Sequence, residues 1–245
     1  MEIHQPQEDL FTVYGNELMT ICEFRRSVMF QTWAPFCSPG GKTPRAVINR
    51  YITRGEQEIW ARDCDAALAD IITPSIRDCG FDPDECVVLC TGVSQRYLGH
   101  STLCDPETNL TVTTLATASL GNKTSAMSPG TYNERIDCGS VCAVGTVNII
   151  SIVNQGLTYA CSLEALKQQT EAKCCVIALY NLRDNLGNLC LGTGTDCCAV
   201  FYPEHDDYYH EYAGPHTVLG GLIGQSTASA VGEALRLRHA HTPPT

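Results

Sequence analysis

Four short clusters in the second half of this 245-residue sequence combine residue types that chemistry needs. Gly145, Thr146, Val147 and Asn148 set a hydroxyl and an amide inside an otherwise apolar run. A buried asparagine must find hydrogen-bond partners, so Asn148 either pins a loop or faces a ligand. Thr170, Glu171, Ala172 and Lys173 lie midway along a helical pattern, where two charges suit a solvated pair as well as a site. Gly192, Thr193, Gly194, Thr195 and Asp196 give two backbone positions open to close approach or positive φ, beside hydroxyls and a carboxylate. The same run suits a β-bulge or a turn. It is not a phosphate-cradling P-loop, because GxxxxGK followed by Ser or Thr is absent.

The fourth cluster is Tyr212, Ala213, Gly214, Pro215, His216 and Thr217. With Thr217 as an N-cap, His216 sits at a helix N-terminus, whose dipole disfavours the imidazolium. A neutral imidazole near pH 7 serves as a general base, or else the histidine merely closes a loop. His205 and His210, with Asp206 and Asp207 between them, have a zinc-like spacing. No third ligand stands at recognisable spacing, so a metal is not expected.

These clusters need elements to position them. Residues 11–30 alternate loosely and read as one long strand or a hairpin. Residues 35–44 form a turn cluster and 45–54 a short helix, with Ala46, Val47 and Ile48 near its start. Apolar residues at helical spacing predict a helix over 63–79 that Pro74 bends or breaks. Residues 85–93 and 110–120 read as strands, and 121–140 as a polar, Gly-rich loop. The strongest strand is predicted over 141–153. A helix over 158–182 follows, with Leu163, Leu166, Cys174 and Ile177 along one side and a break at Gly187. A strand over 189–201 and a closing helix over 217–237 complete the chain, with Ala228, Val231 and Leu235 sharing a face of the latter. No internal repeat or linker interrupts residues 1–245, which read as a single domain. Strands and helices are interspersed without strict alternation, so the expected class is α+β, a mixed or antiparallel sheet packed with helices.

Composition narrows the function. Hydrophobic residues at 44% and charged residues at 18% fit a globular chain with a sizeable core. A net charge of −11, with no local run of Lys and Arg, argues against nucleic acid as a partner. No apolar run is long enough to span a membrane, and the first residues lack the basic and apolar regions of a signal peptide. A cytoplasmic protein with no membrane partner is expected; homo-oligomerisation is open. The fifteen cysteines are odd in number and form no CxxC, and Cys174–Cys175 and Cys197–Cys198 are adjacent. Cys142, Cys161, Cys175 and Cys198 sit among apolar neighbours. This pattern fits reduced, buried thiols better than disulfides or a zinc site.

In order and spacing, the four clusters resemble the adenosylcobinamide amidohydrolase family of corrinoid salvage. Its pattern is similar to GT(I/V)N in a strand, TEAK in the next helix, TGTGTD in the next strand and YAGxHTxLGxLIG before the last helix. Here these stand at 145–148, 170–173, 191–196 and 212–224. The similarity covers roughly residues 35–236 and is strongest over about 110–236. Leu191 replaces the leading Thr, and Gly221 stands where members often carry an acidic residue.

The resemblance implies hydrolysis of the amide joining the aminopropanol arm to the corrin ring of adenosylcobinamide, or of a complete cobamide, giving adenosylcobyric acid. The cobalt-containing corrinoid is then the substrate, and no cofactor is required. Asn148, Glu171, Lys173, Asp196 and His216 would be catalytic. Gly145, Thr146, Gly192, Thr193, Gly194, Thr195, Tyr212 and Asn122 would bind substrate. His216 or Glu171 would activate water with Asp196 orienting it, Asn148 and the backbone of 192–195 would hold the oxyanion, and Lys173 would bind or protonate. Thr195 or a cysteine as nucleophile is the other version. A non-catalytic corrinoid binder, and a metal-dependent hydrolase using His216, Asp196 and Glu171, are the competing classes.

Overall fold

The computed structural model describes residues 9–34, 43–130 and 146–240, excepting the side chains at 61, 62, 64 and 65. The described chain opens with a hairpin of β1 (Phe11–Gly15) and β2 (Met19–Phe24). Asn16 sets its turn, its Oδ1 accepting the N–H groups of Leu18 at 2.8 Å and Met19 at 3.2 Å. Next come β3 (Val28–Thr32) and β4 (Ala46–Tyr51). A broken helical run holds α1 (Arg54–Arg62), α2 (Cys64–Ala67), a π-helical turn over Leu68–Ile72 and α3 (Thr73–Asp78), with Pro74 at the start of the last. Strands β5 (Cys86–Thr91), β6 (Gly99–Asp105), β7 (Leu110–Ala118) and β8 (Lys123–Thr124) follow. The last part contains β9 (Val147–Val153), β10 (Gly156–Leu157), α4 (Tyr159–Ala178), β11 (Gly192–Thr193), β12 (Cys197–Pro203), β13 (Tyr209–His210) and α5 (Val218–Ala240).

Two mixed sheets stack face to face. One has the order β1-β2-β4-β5 and the other β3-β12-β9-β7-β6, with parallel pairs only at β4/β5 and β12/β9. Three apolar layers cement the stack. Phe11, Cys22, Val47 and Leu89 meet Leu115, Ile150 and Phe201 between the sheets. Trp60, Ile72 and Ile76 cover the outer face of the four-stranded sheet, and α4 and α5 cover that of the five-stranded one. Each fully buried Leu, Ile or Phe contributes about 1.5–3 kcal/mol relative to exposure. The α+β class with mixed sheets is therefore observed. Among the described residues, no helix is long and apolar enough to cross a membrane.

Several local expectations need correction. Residues 45–54 contain a strand, β4, not a helix; β4 is hydrogen-bonded on both edges and buried on both faces, which erases the alternation that marks a strand. The region 11–30 holds a hairpin and the beginning of a third strand that joins the other sheet. The edge strand β6 has no counterpart in the sequence reading, because its half-exposed Gly-His-Ser-Thr run lacks an apolar pattern. Of the strand expected over 141–153, residues 141–145 lie outside the described residues, as do Cys142 and most of the turn cluster at 35–44. Helix α4 ends at Ala178, and the left-handed residue beyond it is Asn181 (φ 46°), well before Gly187.

The inner stripe of α4 is Cys161, Ser162, Ala165, Leu166, Gln169, Ala172, Lys173 and Ile177, while Leu163 is exposed. Helix α5 seats directly on β6 because Gly99 has no side chain. A Cβ there would lie 2.0 Å from the Ala230 carbonyl oxygen and 2.6 Å from the Ala234 nitrogen. The thiols of Cys22, Cys86, Cys161, Cys190 and Cys198 are buried, whereas Cys175 is exposed. Burial pushes Cys86 and Cys161 up to about 12 and holds Cys22 and Cys198 above the ordinary thiol range as well.

Candidate active site

The rotation of α4 about its axis decides what it presents to the sheet. Thr158 caps it, its hydroxyl accepting the Cys161 N–H at 3.2 Å. Buried Gln169 then fixes the phase, its Nε2 donating to Ser151 Oγ at 2.7 Å and to the Ala199 carbonyl at 3.0 Å. One turn further, the same face delivers Lys173, whose Nζ lies 2.5 Å from Asp196 Oδ2. The two side chains are only 7% and 12% exposed.

Asp196 stands just before β12, and its carboxylate gathers donors. Thr193 donates its N–H to both oxygens, at 3.1 and 3.2 Å, and its hydroxyl to Oδ1 at 2.6 Å. Trp33, just past β3, donates Nε1 to the Asp196 carbonyl at 2.8 Å. Charge-assisted bonds of this kind are stronger than neutral ones, so the constellation is well fixed. Gly192 makes it possible. A Cβ there would lie 2.3 Å from Asp196 Oδ2 and 2.8 Å from Lys173 Nζ.

The hydroxyl of Thr146, immediately before β9, donates to Thr193 Oγ at 2.8 Å and lies 3.2 Å from Thr195 Oγ. Strands β9 and β12 are parallel neighbours, so their N-terminal ends carry Thr146 and Asp196 to the same rim of the sheet. Strand β11 pairs with β8, and this brings Asn122 over the turn, its Nδ2 3.9 Å from where a Cβ on Gly194 would stand. Lys173, Asp196, Thr193, Thr146, Thr195, Gly192, Gly194 and Asn122 are thus gathered in one place. Gly145 lies outside the described residues.

Other candidates are elsewhere. Asn148 is fully buried between the sheets, and its two amide hydrogens go to Asn49 Oδ1 at 2.8 Å and the Cys90 carbonyl at 3.1 Å. No proton remains for an oxyanion. Asn49 continues the network to Gln95 Oε1 at 3.2 Å and Thr117 Oγ at 3.1 Å. Glu171 points to solvent and pairs with Lys167 at 3.2 Å, the arrangement of a surface i,i+4 pair.

Tyr212 and His216 are exposed. Thr217 does cap α5, accepting the Gly220 N–H at 2.9 Å. The segment is tied to the other end of α4, where Glu164 Oε2 accepts the Ala213 N–H at 2.8 Å. Glu164 and Lys173 are nine positions apart on that helix, about 13 Å along its axis. No hydrogen bond joins His216 to Lys173 or Asp196 among the described residues. Glu171 thus stands apart from the ion pair, on the exposed face of α4.

His210 bonds Gln155 Oε1 at 2.8 Å, and burial lowers its pKa against the pull of Asp206. Asp206 is engaged with the Gly156 N–H at 2.6 Å. Among the described residues, no three His, Cys, Asp or Glu side chains are grouped to hold a metal ion. Near the site, burial raises the pKa of Cys174 and of Cys198 despite the proximity of Lys173, which keeps these thiols protonated and poorly nucleophilic.

The sequence reading omitted Trp33, Asn49 and Gln95. Trp33 reaches Asp196 across 163 positions, and no local periodicity marks such a contact. Asn49 carried a signal, since an amide inside an apolar strand needs a partner, but it fell in a segment expected to be helical.

A family model described as CbiZ, adenosylcobinamide amidohydrolase, matches residues 12–243. No protein of curated function matches. Among solved structures, the PH0078 protein from Pyrococcus horikoshii OT3 is similar at 13% identity and a TM-score of 0.40, covering 89% of this chain and 76% of that one. A Burkholderia sp. beta-aminopeptidase is similar at 11% identity and a TM-score of 0.36, covering 89% and 77%.

Proposed function

Because the chain belongs to the adenosylcobinamide amidohydrolase family, we propose that it hydrolyses the amide joining the aminopropanol arm to the corrin ring of adenosylcobinamide, yielding adenosylcobyric acid and the amino alcohol. The observation that carries this reading is the nearly buried Lys173–Asp196 pair, set among threonine hydroxyls at the rim of β9 and β12.

Amide cleavage needs charge stabilisation on the carbonyl oxygen and a proton for the leaving nitrogen. Lys173 is the cation at hand for both purposes. Asp196 holds Lys173 in place and receives a proton through Thr193. Asn122 and the open backbone of the turn at Gly194 face the substrate. Neither His216, Glu171 nor Asn148 acts at the reacting bond in this reading. The reaction consumes only water and requires no resident cofactor.

The test is incubation of the purified protein with adenosylcobinamide and, separately, a complete cobamide, followed by mass spectrometry. Release of adenosylcobyric acid is expected from at least one. Tight corrinoid binding with no release from either would replace the hydrolase by a binding protein.

A further inference from the structure

We propose that the Thr146 hydroxyl is the attacking nucleophile and that the reaction passes through an ester between Thr146 and the corrinoid carboxyl. This rests on the hydrolase reading above and adds the covalent step. The direction of the hydrogen bonds carries the inference. Thr193 has one hydroxyl proton, and it points to Asp196 Oδ1 at 2.6 Å. Thr193 Oγ therefore accepts from Thr146, at 2.8 Å. A proton path runs from Thr146 through Thr193 to a carboxylate, and with Thr195 donating to Thr146 Oγ at 3.2 Å one lone pair of that oxygen remains for a carbon.

The alternatives fit less well. Thr193 is 8% exposed and gives both its hydroxyl and its backbone proton to Asp196. Thr195 Oγ lies 3.2 Å from Thr146 Oγ, one hydroxyl further along this path from the carboxylate. Thr146 is half-buried and held by its backbone, its carbonyl accepting the Ser119 N–H at 2.9 Å. It stands, not fully buried, immediately before β9 begins.

The step balances. As Thr146 Oγ bonds the amide carbon, its proton moves to Thr193 while the Thr193 proton moves to Asp196. The C–N bond breaks, and the leaving nitrogen takes a proton from Lys173, which recovers one from Asp196 across their hydrogen bond. Water then attacks the ester, and the C–O bond to Thr146 breaks. One water proton returns to the threonine, leaving the corrinoid acid.

Two measurements test this. In the first, the unmutated protein, Thr146→Ala and Thr146→Ser are compared on adenosylcobinamide, with rapid acid quenching and peptide mass spectrometry. Thr146→Ala is expected to lose at least about 10³-fold in turnover, as removal of a nucleophile does. Thr146→Ser should retain turnover, and the unmutated protein should carry the corrinoid acyl group on the peptide containing Thr146. A folded Thr146→Ala protein that hydrolyses at the unmutated rate would overturn the nucleophile while leaving the hydrolase reading intact. The second measurement needs neither corrinoid nor a mutant that folds: acylation of the unmutated protein by p-nitrophenyl acetate. Acetyl on Thr146 supports the assignment even if no corrinoid is turned over. Acetyl confined to other residues, or none, overturns it.

Discussion

Residues 192–196 and 212–217 look alike as sequence, each placing glycine beside polar groups at the edge of an apolar element, yet they fold into opposite settings. In the first, Gly192 removes a side chain so that Lys173 and Asp196 can meet away from water. In the second, His216 and Tyr212 face solvent and the polar work is structural, with Thr217 capping α5 and Ala213 tied to Glu164. The difference lies in what comes from elsewhere in the chain. The first segment meets a helix face whose phase is already fixed by Gln169, whereas the second only joins one element to the next. Unusual residues mark a place where the backbone is constrained, and the partner decides whether the constraint serves chemistry.

The sharpest way to break this contrast is at the ion pair. Lys173→Met leaves a nearly buried carboxylate without its cation, which should cost about 3–5 kcal/mol of stability. Turnover should fall by about 10³-fold, within the range of acid–base catalysis. Lys173→Met combined with Asp196→Leu should recover most of the stability in urea titrations and none of the turnover. Recovery of both would make the pair merely architectural.

Gly192→Ala comes next. Its methyl must push Asp196 from Lys173, so turnover should fall by about 10²-fold, the scale of an ångström of misplacement. The urea midpoint should move much less than in Lys173→Met. A fully active Gly192→Ala protein would show that the close contact is dispensable.

Asn148→Ala sharpens the comparison from a third position. Removing the amide takes away the 2.8 Å donor to Asn49 Oδ1 between the sheets, at a cost of about 1–3 kcal/mol for a buried group that loses its partner. The folded fraction should keep its kcat. A loss of about 10²–10³ in kcat at unchanged stability would restore Asn148 as an oxyanion donor.

The smallest effects belong to His216→Ala and Glu171→Gln, surface changes expected within about 0.5 kcal/mol in stability and near the unmutated rate. A fall of about 10²-fold or more in His216→Ala, as loss of a general base gives, would place both segments at one site.

The sequence was legible where chemistry is local. Three of the clusters that stand out by residue type supply Thr146, Lys173 and residues 192–196, which meet at one rim of the sheet, and α4, α5, β5, β7 and β12 lie largely where periodicity puts them. It was silent where orientation matters. Glu171 and Lys173 are two positions apart, about 200° around a helix, so one must face outward when the other faces in. Choosing between them requires the phase of α4, and polar Gln169 sits in the inner stripe while apolar Leu163 lies outside it. An apolar-only reading of that helix therefore rotates it toward Leu163, although Leu166 and Ile177 do lie in the inner stripe. Asn148 posed the same difficulty, because a loop pin and a ligand contact look identical until Asn49 is placed opposite.

The buried cysteines among the described residues, which the proposed mechanism does not use, leave each layer with its own built-in reporter. Cys161 and Cys198 lie under the paired long helices, Cys22 between the sheets and Cys86 beneath the broken helical run. A thiol must become a thiolate to be alkylated, and burial prevents that while a layer stays closed. Alkylation under native conditions would then time the opening of each interface separately, resolving whether the sandwich breathes as one cooperative unit or peels apart from one side.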